Sequence, residues 1–149
     1  MLGLVVTGFL ASHLLQGSVP SGHGLARSSW VLYYPGSSGY YYEARRVTSL
    51  ESFRERYFRM LDDPNPHRRT LHLGTHPPGL FLAHLAVREA CRRSPEIRQS
   101  ALDWRPRSVR ESQATILEGG RPLPPIDEAA LWLAAVLTQL AAVATAIAA

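Results

Sequence analysis

The sequence predicts a mainly α-helical chain with a membrane helix at each end and a large aqueous loop between them, carrying two amphipathic surface helices. Three observations lead there. Met1–Leu15 and Ala129–Ala149 carry no charge, while all 16 basic and all 12 acidic residues lie between Arg27 and Glu128. Two segments of the middle repeat apolar residues at helical spacing, and Gly, Ser and Pro break the chain between and around them. A water-soluble domain usually spreads charge over every surface element, so this segregation within 149 residues points to apolar surroundings at both ends. The expected division is a partial membrane helix over 1–16, a loop over 17–128 with surface helices at about 48–62 and 78–93, and a membrane helix over 129–149.

The last segment carries most of this reading. Its 21 uncharged residues make a helix of roughly 31 Å, matching a hydrocarbon core of about 30 Å. Thr138, Gln139 and Thr145 are its polar positions, and Trp132 lies near its start, where an interfacial indole is favoured. Pro124-Pro125 followed by Asp127-Glu128 supplies a proline start and first-turn acids. The competing reading is an Ala-rich helix buried in a soluble core. The N-terminal run is shorter, is interrupted by His13 and lacks a basic leader, so it does not read as a signal peptide. It reads as the outer part of a spanning helix or as an interfacial helix. With no charged flank after Ala149, the chain is expected to continue beyond both ends. Orientation does not follow from charge, because the positive-inside rule applies to loops shorter than about 60 residues.

In the middle, Ser18–Gly39 reads as an irregular loop around the apolar Trp30-Val-Leu-Tyr-Tyr34. Thr48-Ser-Leu-Glu51 has the capping-box pattern. Leu50, Phe53, Tyr57 and Leu61 follow on one helical face, and Asp62-Asp-Pro-Asn-Pro66 stops that helix. A second helix starts at Pro77-Pro78, places Phe81, Leu82 and Leu85 on its apolar face, and runs to about Arg93, with Ser94-Pro95 as its end. Residues 95–126 read mostly as loop, with a short helix near Arg107–Leu117. The two amphipathic helices suit a bilayer surface; packing on each other as a small core is the alternative.

Composition narrows the partners. The net charge of +4 comes from Arg alone, with no Lys. Such a balance fits anionic lipid or nucleic acid. Tyr and Trp near the apolar ends favour the lipid bilayer, and no nucleic-acid-binding motif is present. Cys91 is single, which leaves no disulfide framework and no Cys-based zinc motif. The densest chemical motif is Leu71-His-Leu-Gly-Thr-His-Pro-Pro-Gly79. Its prolines fix the backbone just after His76, presenting that imidazole at a helix start. His72 and His76 stand four apart, yet the residue before a proline avoids the α region, so no metal site is assigned. No Gly-rich phosphate loop or nucleophile elbow is present.

Ser37-Ser-Gly-Tyr-Tyr-Tyr-Glu-Ala-Arg45, followed by His76-Pro-Pro-Gly79, resembles the first extracytoplasmic loop of GT-C type membrane glycosyltransferases. These include the protein O-mannosyltransferase and aminoarabinose-transferase group. The resemblance covers most of the chain in the order of its elements. It implies transfer of a sugar from a polyprenyl-phosphate donor to an extracytoplasmic acceptor, in a protein of the bacterial inner membrane with further membrane helices as partners. In that group an Asp-Glu pair precedes the tyrosines and its Asp is assigned to catalysis, as base or as a metal-linked acceptor-binding group. Here Ser37-Ser38 stand in that place, and serine cannot act as a base at neutral pH without a partner. Glu43 is then the substitute acid, with His76 as the second catalytic residue. Asp62 and Asp63 are further candidates. Tyr40 and Tyr41 are expected on the sugar, with interfacial anchoring as the alternative, and Arg45 and Arg46, with Arg68 and Arg69, on the phosphate. No cofactor is certain, and a divalent metal stays open. The isolated chain is expected to be inactive. A non-enzymatic or degenerate membrane protein of the same fold is the alternative, supported directly by Ser37-Ser38.

Overall fold

A computed structural model describes residues 2–20, 23–34, 36–62 and 79–148. In chain order its elements are α1 (Leu2–Gly17), α2 (Leu25–Tyr33), α3 (Tyr40–Ala44), α4 (Leu50–Asp62), α5 (Gly79–Arg93), α6 (Pro95–Trp104), α7 (Arg107–Ala114), β1 (Leu117–Glu118), β2 (Arg121–Pro122) and α8 (Pro125–Ala148). The two short strands form an antiparallel hairpin pairing Leu117 with Pro122 and Glu118 with Arg121. Gly119 and Gly120 turn it with positive φ, the backbone a tight hairpin turn needs.

The chain is mainly helical, and α8 is its axis. Helices α1, α2, α5 and α6 all pack against it. Its first half is core: Ala129, Ala130, Leu131, Trp132, Ala134 and Ala135 are buried, with Leu32, Tyr33, Tyr41, Val109 and Ile116 in the same cluster. The alanines let neighbouring helices approach while Trp132 fills the space they leave. The second half of α8 is different. Leu137 and Leu140 are exposed there, as are Leu4, Leu10, Leu14 and Leu15 on α1. Those two helices meet through Gln139, whose Nε2 donates to Ser12 Oγ at 3.0 Å and whose Oε1 lies 3.2 Å from His13 Nδ1. Gly24 lets α1 and α2 close on each other. Its φ is +56°, and a Cβ there would fall 2.4 Å from the Gln16 carbonyl oxygen.

One described helix is long and apolar enough to cross a membrane, α8 over Pro125–Ala146, and 39% of its apolar window is buried inside the chain. It begins four residues before the expected Ala129, because Pro125 starts the helix and Asp127 and Glu128 occupy its first turn. Helix α1 has 16 residues, about 24 Å, which falls short of the hydrocarbon core.

Helices stand at Leu50–Asp62 and Gly79–Arg93, where amphipathic helices are expected, and one face of α5 is covered by protein. It packs against both α3 and α8, burying Phe81, His84 and Cys91. Helix α4 meets it through Phe53, whose ring lies 4.8 Å from that of Phe81. Two further helices stand where loop was expected. Ser94-Pro95 does end α5, yet it also starts α6: the Ser94 hydroxyl accepts from the Ile97 amide, Pro95 takes the first helical position, and Glu96 sits in the first turn. Helix α2 forms over the Trp30–Tyr33 stretch because Leu25, Ala26, Ser29, Leu32 and Tyr33 bury one face of it.

Candidate functional site

The site is built on Asp127 in the first turn of α8, with only 1% of its surface exposed. A carboxylate this deep must be hydrogen-bonded or paired. Helix α3 with its C-cap residue, and helix α5, supply the partners. Tyr41 on α3 donates its hydroxyl to Oδ1 at 2.6 Å, and Arg88 Nε on α5 donates to the same oxygen at 2.9 Å. Arg45 Nη2 lies 3.2 Å from Oδ2. That contact matches the charges but is off the hydrogen-bond direction, since Oδ2 accepts no hydrogen bond from the described residues. The positive end of the α8 dipole adds to the same compensation.

Arg45 ties in two more elements. Its Nη1 reaches Glu118 Oε2 of β1 at 2.8 Å and donates to the Tyr33 hydroxyl of α2 at 3.1 Å. Tyr41 and Arg45 reach Asp127 together because they stand four residues apart, on one face of a helical turn. Glu43 falls between them and points elsewhere, buried against the Arg56 guanidinium, which donates to its Oε2.

The outer sides of these groups form a groove of about 680 Å³, with Arg45, Arg88, Arg92 and Arg93 on its walls and Thr48 and Ser49 at one side. Glu89 is the acid of the lining, so the walls carry an excess of three positive charges, of which Asp127 and Glu118 behind them offset two. Arg92 and Arg93 both donate to Glu89 at 2.5–2.7 Å, and those hydrogen bonds hold its carboxyl down to about 2. Pairs this exposed add little to stability and can exchange their partner for another anion. The groove thus presents two guanidinium groups held on a buried carboxylate and two exposed ones beside them, a chemistry suited to an anion.

Behind it lies His84 of α5. It is buried between Tyr40 and Tyr41, with ring centroids 6.2 and 6.3 Å away, and neither of its ring nitrogens has a hydrogen-bond partner among the described residues. Burial pushes this imidazole down to about 4. Burial, and then Asp127, push the Tyr41 phenol well above its ordinary value, so it stays a hydrogen-bond donor.

The expected site residues separate into two groups. Tyr41 and Arg45 are brought together on Asp127. Tyr41 is fully enclosed, which leaves its ring no surface to offer a sugar and makes it a support for the aspartate. Tyr40 is buried in the smaller cluster with Ala44, Val47 and Phe81. Arg46 stays exposed and folds over Tyr42, donating to its hydroxyl at 2.8 Å. Ser38 is engaged in the turn before α3, its hydroxyl donating to the Val31 carbonyl at 2.6 Å. His76, with Asp63, Arg68 and Arg69, lies outside the described residues. Among the described residues no three of His, Cys, Asp and Glu gather as a metal-binding group.

Asp127 and Arg88 are the residues the sequence reading passed over. A signal for each is present. Phe81, His84, Arg88 and Cys91 fall on one helical stripe, where an arginine among inward-facing positions requires a carboxylate partner. Asp127 and Glu128 are the last charges before 21 uncharged residues, and the first-turn role assigned to them hid the second one. No family model matches this chain, and neither a curated protein nor a solved structure does.

Proposed function

We propose that this chain is part of a GT-C type membrane glycosyltransferase, and that its arginine groove receives the phosphate of a polyprenyl-phosphate sugar donor on the extracytoplasmic side. The observation that carries the reading is the placement of the groove. It opens beside the first turn of the membrane-length helix, where a lipid-linked phosphate at a bilayer surface would lie. The exposed apolar side chains of α1 and of the second half of α8 suit lipid, or further membrane helices, and give the chain a bilayer contact at both ends. In this reading the acceptor oxygen bonds to the sugar's anomeric carbon as the bond from that carbon to the phosphate oxygen breaks. The acceptor proton passes to an acid of the loop, and polyprenyl phosphate leaves with its charge held by guanidinium groups. Glu43 and His76 are the residues proposed for the proton, and Arg45, Arg88, Arg92 and Arg93 for the phosphate.

The test uses the full chain in nanodiscs, titrated with a short-chain polyprenyl phosphate and with the matching polyprenol. Phosphate-dependent binding is expected, weakened about tenfold in an Arg92→Gln/Arg93→Gln double variant through loss of charge-assisted contacts. Equal binding of the uncharged polyprenol would remove the reading. A second reading, a non-enzymatic membrane protein of the same fold, is favoured by Ser37-Ser38 and by the engagement of Glu43 with Arg56. It predicts the same lipid binding without sugar transfer. In membranes holding the remaining helices, activity lost in Glu43→Gln and His76→Ala separates the two.

A further inference from the structure

A second groove lies where α1, α2 and α8 meet. It holds about 410 Å³, and Val31, Leu32, Ala142 and Val143 are among its walls. The polar side chains of the lining are turned onto the protein itself. Gln139 and Gln16 both donate to Ser12 Oγ, at 3.0 and 3.1 Å. Thr138 donates to the Ala134 carbonyl at 2.8 Å, and Ser28 to the Leu25 carbonyl. What remains for a ligand is an apolar channel.

Its mouth is charged. Arg27 lines the groove and is exposed. Unlike Arg45, Arg88, Arg92 and Arg93, it has no carboxylate partner among the described residues. Helix α2 begins beside it, with no side-chain cap and no acid in its first turn, so the positive end of the helix dipole reinforces the guanidinium. An apolar channel with one unpaired cation at its mouth complements an amphiphile with one anionic head. The channel runs along the half of α8 whose outer face is apolar and exposed, so the bilayer is its source of such molecules.

We propose that this groove holds one acyl chain of an anionic phospholipid, with the head-group phosphate on Arg27. The inference rests on the membrane placement of α8 and is independent of the sugar-donor reading of the Arg45–Arg88 groove. Native mass spectrometry of the detergent-extracted full chain tests it, with phosphatidylglycerol and phosphatidylcholine of identical acyl chains as probes. One phosphatidylglycerol is expected to stay bound, and phosphatidylcholine at least about tenfold less. Arg27→Gln should bring phosphatidylglycerol down to the phosphatidylcholine level. Ala142→Trp should block both, and Val31→Phe is the second blocking variant if the first does not fold. Arg92→Gln/Arg93→Gln should leave phosphatidylglycerol retention unchanged, which keeps this groove's test separate from the other's. Equal retention of the two lipids, retention surviving both blocking variants, or a lipid-free dimer that Ala142→Trp disrupts would overturn the proposal.

Discussion

From Ala129 onward α8 is one uncharged, Ala-rich run whose two halves have opposite surroundings. Ala129–Ala135 is enclosed by α2, α5 and α6, while Leu137, Leu140, Ala141 and Ala142 are exposed, with Gln139 between them buried against α1. Both halves are uncharged and Ala-rich. The difference teaches that an apolar run states only that water is excluded from it. Whether protein or lipid does the excluding depends on what the rest of the chain can bring alongside. Here α2, α5 and α6 reach the first half, and the second extends past them.

The contrast can be broken from either side. Trp132→Ala opens a large cavity in the enclosed half and should cost about 3–5 kcal/mol in denaturant unfolding of the detergent-solubilised chain. A loss under about 1 kcal/mol would mean that the first half is not a protein core. Asp127→Ala should cost around 3 kcal/mol, because it strands Arg45 and Arg88 without their shared carboxylate; a triple variant that also replaces both arginines with Met should recover much of that loss. His84 gives a pH signature for the same half. An unfolded histidine takes a proton below about 6.5, whereas the buried one resists until about 4. The unfolded state therefore binds more protons in that window. Stability is full above pH 6.5, falls as pH drops towards 4, and is flat below it, a loss approaching roughly 3 kcal/mol. His84→Phe should flatten stability between pH 6.5 and 5, and an unchanged slope would place the titration elsewhere. The smallest effect belongs to the exposed half: Leu140→Ser should change unfolding by less than about 0.5 kcal/mol while lowering partition of the chain into vesicles.

Much of the helical frame was legible, because it rests on local chemistry. Helix α4 starts near its capping pattern, and α5 follows Pro77-Pro78 and ends at Ser94. The proline start of α8 was equally visible at Pro124-Pro125. Helix α6 was lost because Ser-Pro serves equally as a stop for one helix and as a cap for the next, and only the Ser94–Ile97 hydrogen bond tells them apart. The site was less legible. Tyr41 and Arg45 drew attention within one motif, but their partners Arg88 and Asp127 lie over forty residues away, and pairing at that distance is set by packing rather than by spacing. Glu43 shows the converse. Midway between the two in sequence, it faces away on a five-residue helix and meets Arg56.

The clasp on Asp127 also has a mechanical meaning. Arg88 and Tyr41 hold one carboxylate oxygen and Arg45 faces the other, so the first turn of α8 is held from two directions. Turning that helix about its axis would lengthen one contact as it shortened the other. The same two arginines form walls of the groove outside, so a rotation of the long helix would be felt at those walls. A helix that tilts with its surroundings would thus act as a lever on the groove, with Asp127 as the fulcrum.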